Sequence, residues 1–191
     1  MRKPGWQYDA AEYVYDKKVM VGKAETQTKL VVFAGDVAMT RAEFVQTIYN
    51  LHNRPNATYV KGKFSDVPKG QWYTNAIMWA SKAGIVSGKG NGKFGIDDKV
   101  TRQDAVSILY RYAQKTNKKL LINVNTSLNS YPDRGKVADY AVKPMQWAVG
   151  NGIISGKPSG KKNYLDPTGK TTRIECAAVL KNFMTFREKN K

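Results

Sequence analysis

Three times this chain sets a threonine, an arginine and then an acid at the head of an apolar stretch: Thr40-Arg41-Ala42-Glu43, Thr101-Arg102-Gln103-Asp104 and Thr172-Arg173-Ile174-Glu175. These residue types suit two kinds of chemistry. The threonine and the acid fit a capping box. The hydroxyl accepts from the backbone N–H at the third helical position, the acid reaches back to the threonine N–H, and the helix start gains about 1 kcal/mol. Thr40 with Glu43, Thr101 with Asp104 and Thr172 with Glu175 are assigned as capping pairs on that basis. Capping does not explain the arginine. At the first helical position a cation opposes the helix macrodipole by roughly 0.3–1 kcal/mol. It makes sense there if the backbone amides and the guanidinium converge on a carboxylate or a phosphate. The competing reading is a structural arginine paired with an acid of a neighbouring repeat, such as Asp66 or Asp133; the two readings are compatible.

A second cation recurs. Lys23, Lys89 and Lys157 each follow a glycine, Gly22, Gly88 and Gly156, inside Val21-Gly22-Lys23, Ser87-Gly88-Lys89 and Ser155-Gly156-Lys157. One such lysine is a surface residue; three equivalent ones make an anion contact worth weighing. The glycines, with Gly84 and Gly152 upstream, either end a short helix through a left-handed residue or let a ligand approach the backbone closely. The first repeat has Lys18 where the others have Gly84 and Gly152, which puts its turn geometry in question. Aromatic residues also recur. Trp6, Trp72 and Tyr140 open the segment before each glycine turn, and Tyr13, Trp79 and Trp147 follow seven residues later. The inner set reads as core. The outer set reads either as core plugs, the favoured assignment, or as platforms for a sugar ring.

Each repeat therefore runs aromatic-x-Asp, short helix, glycine turn, variable loop, Thr-Arg helix. The aromatic-x-Asp element is Phe64-Ser65-Asp66 in the second and Tyr131-Pro132-Asp133 in the third, and the first lacks it. The Thr-Arg pairs lie 61 and 71 residues apart, and the difference falls mainly in the polar segment around Lys118 to Asn129. Insertions confined to loops suit stacked repeats. After each pair the apolar residues recur at helical spacing: Phe44, Ile48 and Leu51; Ala105, Ile108, Leu109 and Tyr112; Cys176, Val179, Leu180 and Phe183. Three equivalent stripes suggest, by symmetry, a three-helix bundle around a pseudo-threefold axis. Two helices per repeat bury too little alone, so the units must pack on each other.

With 32 basic against 15 acidic residues the formal charge is +17. An anionic partner follows: nucleic acid, an anionic lipid surface or an acidic polysaccharide. No recognition motif supports nucleic acid. No apolar run is long enough for membrane insertion, and Met1-Arg2-Lys3-Pro4 does not open a signal peptide, which says nothing about location if the chain is cut from a longer precursor. The lone Cys176 reads as a small buried hydrophobe, and His52 has no counterpart in the other repeats. With one histidine and one cysteine, no metal cluster, catalytic dyad or cofactor fingerprint is expected, and Gly88 to Lys93 is a turn rather than a phosphate loop. A glycosidase carboxylate pair stays open, but the repeated acids are taken up by capping.

Taken together, Phe64-Ser65-Asp66-Val67-Pro68, Trp72 through Ile77, Ala83-Gly84-Ile85-Val86-Ser87-Gly88, Phe94, Val100-Thr101-Arg102 and Thr40-Arg41-Ala42-Glu43 resemble the S-layer homology domain family. The departures are the missing aromatic-x-Asp of the first unit, Lys18, Gln103-Asp104, Ile174-Glu175, and Tyr164-Leu165 where one aromatic is usual. The resemblance implies an all-α fold: three tandem modules, 1–57, 58–124 and 125–191, forming a pseudo-threefold spindle around a central three-helix bundle, with grooves between neighbours. It implies a non-catalytic anchor on a Gram-positive cell wall or S-layer, part of a larger surface protein. The implied partner is secondary cell-wall polysaccharide bearing pyruvate ketals, with peptidoglycan a further partner and no cofactor. Carried over, it singles out Arg41, Arg102 and Arg173, then Gly22, Gly88, Gly156, Lys23, Lys89 and Lys157; from the reading of the aromatics, Trp6 and Trp72 join them as candidate sugar contacts. The alternative is the targeting region of a bacterial or phage wall-degrading enzyme whose catalytic domain lies elsewhere.

Overall fold

A computed structural model describes residues 5–24 and 31–190; Met1-Arg2-Lys3-Pro4, on which the signal-peptide reading rests, lies outside them. Helices α1 (Trp6–Asp16), α3 (Thr74–Lys82) and α5 (Asp139–Gly150) alternate with the Thr-Arg helices α2 (Arg41–Leu51), α4 (Arg102–Thr116) and α6 (Arg173–Lys189). The all-α expectation is corrected by two antiparallel ladders. β1 (Lys23–Ala24) pairs with β2 (Val31–Val32), Lys23 opposite Val32, and β3 (Lys157–Ser159) pairs with β4 (Lys162–Tyr164), Lys157 opposite Tyr164. Chemistry in the loop after each glycine turn decides this. Gly160, at φ +59°, lets the chain reverse within two residues and aligns the second ladder. After the second turn, Gly90 and Gly92 both take positive φ and close a glycine turn in which Lys89 N–H bonds Lys93 O at 2.9 Å.

The expected central three-helix bundle is also corrected. The closest helix pairs are α1 with α6, α3 with α2 and α5 with α4. Each short helix thus packs on the Thr-Arg helix of the preceding repeat, and α1 closes the circle on α6. The large aromatics explain this preference. Trp147 of α5 is fully buried against Tyr110 of α4, with ring centroids 5.4 Å apart, and its indole N–H donates to Leu120 O at 2.8 Å. The Thr-Arg helices meet one another mainly through long side chains, as Tyr112 meets Phe183. The stripes read from the sequence are buried, Cys176 among them.

A closed ring of backbone hydrogen bonds ties the three Thr-Arg helix starts together. Met39 N–H donates to Thr171 O, Thr171 N–H to Val100 O and Val100 N–H to Met39 O, each at 2.9 Å. Around it sit three antiparallel bridges, Thr40 to Lys99, Thr101 to Lys170 and Ala38 to Thr172. The residue before each threonine therefore holds the next repeat in register.

Gly84 and Gly152, at φ +70° and +65°, end α3 and α5, and Lys18, at φ +56°, ends α1 in the same way. The turn questioned in the first repeat keeps the same bonds: Val19 N–H reaches Val14 O at 2.9 Å, as Ile85 reaches Ala80 and Ile153 reaches Ala148. A non-glycine residue in that region carries roughly 1 kcal/mol of strain. Lys18→Gly is therefore expected to stabilise the protein by several tenths to about 1 kcal/mol, read as a rise in denaturation midpoint; a loss would contradict the account.

Candidate functional site

Each motif arginine is buried, at 8%, 7% and 4% exposure for Arg41, Arg102 and Arg173. Each reaches across a repeat boundary to two backbone carbonyls. Arg41 donates from Nε to Phe94 O and from its terminal nitrogen to Ser87 O, both at 3.2 Å. Arg102 donates to Leu165 O at 3.0 Å and Ser155 O at 2.8 Å. Arg173 donates to Phe33 O at 2.9 Å and Val21 O at 2.6 Å. The second carbonyl in every case belongs to the residue just before Gly88, Gly156 or Gly22, so the arginine pins the next repeat's glycine turn. Among the described residues none of the three guanidinium groups forms an ion pair. The competing reading, an arginine paired with Asp66 or Asp133, is corrected in its partner: the arginines are structural but bind carbonyls. Asp66 accepts from the Phe94 and Gly95 amides at 2.7 Å, and Asp133 from the Leu165 and Asp166 amides at 2.9 and 2.8 Å, ordering the loop that receives the arginine.

Backbone amides at these helix starts are also engaged. Arg41 and Ala42 N–H donate to Asp98 and Ile96 O, Arg102 and Gln103 to Gly169 and Pro167 O, and Arg173 and Ile174 to Val37 and Gly35 O. The third amide goes to the threonine hydroxyl. An anion held by free N-terminal amides, as the sequence suggested, has no donors left there. The guanidinium is where its cation belongs because carbonyls of the next repeat surround it. Burial lowers the pKa of all three arginines, offset by carboxylates: Asp104 and Asp98 at Arg41, Glu175 and Asp166 at Arg102, Glu43 at Arg173.

The capping pairs divide. Thr40 with Glu43 and Thr172 with Glu175 form complete boxes. Thr101 caps α4, but Asp104 is a methylene too short to return to the threonine amide and accepts from the Thr101 hydroxyl at 2.7 Å instead.

Two grooves lie at these junctions and are built alike. The first, about 240 Å³, runs beside α2 and is lined by Val21, Gly22, Lys23, Glu43, Asn50 and Arg173, with Trp72 at its rim. The second, about 440 Å³, runs beside α6 and is lined by Ser155, Gly156, Lys157, Glu175, Asn182 and Arg102, with Trp6 at its rim. Each combines a Thr-Arg helix and glycine turn of one repeat with the arginine of the preceding repeat and the leading aromatic of the following one. The favoured core role for the outer aromatics is corrected: Trp6 and Trp72 are each 58% exposed and Tyr140 51%. The inner set does serve the core, with Trp147 fully buried and Tyr13 and Trp79 packed against it.

Gly22, Gly88 and Gly156 do not take the left-handed conformation; that task falls to Lys18, Gly84 and Gly152. A Cβ on Gly156 would lie 2.8 Å from Tyr131 Cε1 and one on Gly88 2.9 Å from Phe64 Cε1, so the aromatic of aromatic-x-Asp presses on the turn. The lysines are paired: Lys23 with Glu43, Lys89 with Asp98 at 3.1 Å, Lys157 with both Asp166 and Glu175 at 2.8 Å. Missed from the sequence were Asn50 and Asn182, whose amides donate to Val19 O and Ile153 O at 3.1 and 3.2 Å inside the grooves. Their signal was present: both stand ten residues after the motif threonine.

Burial alone would raise the Glu43 and Glu175 pKa values. Hydrogen bonds from Lys23 and the Thr40 amide, and from Lys157 and the Thr172 amide, outweigh it and hold both carboxyls below 4.5. Such groups contribute stability that is complete above the unfolded value and is lost as pH falls through the lower folded one. Burial would lower Lys157, but Asp166 and Glu175 raise it above 10.5; its contribution is complete below that value and fades as pH rises through the folded one. Melting temperature is therefore expected to drop as pH is taken below 4.5, and Glu175→Gln to flatten the drop; an identical profile in the variant would contradict the assignment.

The S-layer homology domain profile matches residues 63–106 and 130–177. The chain belongs to the S-layer homology domain family. It is 35% identical over 179 residues to Exoglucanase XynX of Acetivibrio thermocellus, covering 93% of this chain and 15% of that protein. It is 34% identical over 179 residues to Amylopullulanase of Thermoanaerobacterium thermosulfurigenes, covering 93% of this chain and 9% of that protein. The S-layer protein of Bacillus thuringiensis subsp. finitimus is 31% identical over 115 residues, 59% of this chain and 13% of that protein. The chain thus spans 9–15% of the length of these relatives. S-layer homology domains are non-catalytic anchoring modules that bind cell-wall polymers within larger surface proteins. The chain has a cell-wall anchoring role, located at the cell wall or S-layer.

Proposed function

We propose that the two grooves bind a secondary cell-wall polysaccharide carrying carboxylates, with pyruvate ketals as the charged group, and that the chain itself performs no catalysis. The observation that carries this reading is the pair of exposed tryptophans, Trp6 and Trp72, each at the rim of a groove lined by a buried arginine and a turn lysine. An indole face stacks on the apolar face of a sugar ring, while the cations attract an acidic substituent. Grooves of about 240 and 440 Å³ suit one or a few sugar units rather than a long polymer stretch. Within this reading Arg102 and Arg173 set the floor and shape of the grooves. Lys23, Lys157, Gly22 and Gly156 bring the turn to the ligand, and Arg41, Lys89 and Gly88 belong to the third junction.

The module boundaries we favour are 1–57, 58–124 and 125–191, supported by the threefold repetition of the arginine staple. The enzyme names among the relatives favour a chain that tethers a larger enzyme or surface protein, with any catalytic part outside the matched region. Retention on purified cell-wall sacculi tests the proposal. Binding should fall sharply when pyruvate is removed by mild acid and vanish when the polymer is stripped. Equal retention on stripped walls would overturn it.

A further inference from the structure

The third junction is built from the same parts but wired differently. Its acid is Asp104 rather than glutamate, the residue ten after its threonine is Arg111 rather than asparagine, and its rim aromatic is Tyr140 rather than tryptophan. The three differences form one connected change. In the open grooves Glu43 and Glu175 fold back onto the Thr40 and Thr172 amides at 2.9 Å and hold Lys23 and Lys157. Asp104 cannot reach back, so its carboxylate accepts from the Thr101 hydroxyl at 2.7 Å and, through its other oxygen, from the Tyr140 hydroxyl at 2.8 Å. Lys89, left without that partner, turns to Asp98. Arg111 takes the place of Asn50 and Asn182 and donates to Ile85 O at 3.4 Å with a longer, charged side chain. Asp104, Arg111 and Tyr140 all act electrostatically on Arg41.

We propose that the Tyr140–Asp104 hydrogen bond is a latch that shuts the third groove, leaving this chain with two sugar-binding grooves and one junction that is purely structural. This rests on the reading of the other two grooves given above. A hydroxyl bound to a carboxylate is among the stronger hydrogen bonds available at a surface. An incoming sugar would have to break it and pay for desolvating Asp104. Burial first and Asp104 second push the Tyr140 phenol pKa up to about 12, so the hydroxyl keeps the proton that its bond to Asp104 uses. A tryptophan at 140 could not make this bond to Asp104 O in the same geometry, and a glutamate at 104 could return to the Thr101 amide.

Calorimetric titration of the chain with a pyruvylated aminosugar tests this. The original protein should bind two equivalents, and Trp6→Ala combined with Trp72→Ala should weaken both sites about thirtyfold, leaving none of the original affinity. Adding Tyr140→Trp and Asp104→Glu to that double variant should create one site, and Tyr140→Phe, which removes only the latch hydroxyl, should give at least a tenfold gain at the third groove. Three equivalents for the original protein, or a site of the original affinity kept in the double variant, would overturn the latch while leaving the groove reading intact. Failure of both opening variants to gain a site would also overturn it. No binding to the original protein would instead sink the groove reading on which the latch depends.

Discussion

Arg102→Ala should lower unfolding free energy by about 3 kcal/mol, because two carbonyls lose charged hydrogen bonds and a buried space opens. For a domain of this size that is a melting temperature roughly 6–12 °C lower. Arg102 is 7% exposed and its fork holds Leu165 O and Ser155 O on the far side of a repeat boundary. Lysine should rescue little, since a single ammonium on a flexible stem cannot span both carbonyls as the planar fork does. Thermal or urea unfolding checks this, and a loss under 1 kcal/mol would contradict the staple. One consequence concerns binding assays. An arginine variant that no longer binds sugar has lost the glycine turn as well as a cation, so arginine substitution cannot by itself separate recognition from architecture.

Tryptophan substitution can. Trp6→Ala and Trp72→Ala each remove an exposed rim residue, so stability should change by less than about 0.5 kcal/mol. Anchor aromatics contribute on the order of 2 kcal/mol to binding, which is about thirtyfold in affinity per groove. The two substitutions should act independently, because the grooves lie beside different helices, α6 and α2. Calorimetric titration of each variant should show the altered groove weakened about thirtyfold and the other groove unchanged. A variant that binds normally would remove the sugar platform from the account.

Much of this arrangement was legible in the residues. The helices followed from the apolar stripes, and the capping threonines from their offset to an acid. The family followed from the joint spacing of aromatic-x-Asp, glycine turn and Thr-Arg. The arginine was harder to read. Sequence shows a cation at a helix start, where isolated-helix electrostatics demands an anion, but it does not show that carbonyls from the next repeat already surround that start. Ser87, Ser155 and Val21 offer only backbone oxygen, so no acidic signal marked them as partners. The outer aromatics were misread because Trp6 and Trp72 sit at helix starts with periodicity that suits either face; only the circular packing of α1 on α6 and α3 on α2 sets them outside. The ladders were missed because β1 to β4 are two or three residues long, too short for an alternating pattern to show. The Asp104 substitution was visible as a departure. Its effect was not, since losing one methylene matters only once Tyr140 is known to stand opposite.

On the function proposed above, acidic sugar is recognised where an exposed tryptophan faces a groove floored by an arginine staple. A crystal of the chain soaked with a pyruvylated aminosugar tests it most directly. The account predicts sugar rings against Trp6 and Trp72, their carboxylates directed toward Arg102 with Lys157 and toward Arg173 with Lys23. Sugar bound elsewhere on the surface, with both grooves empty, would contradict it.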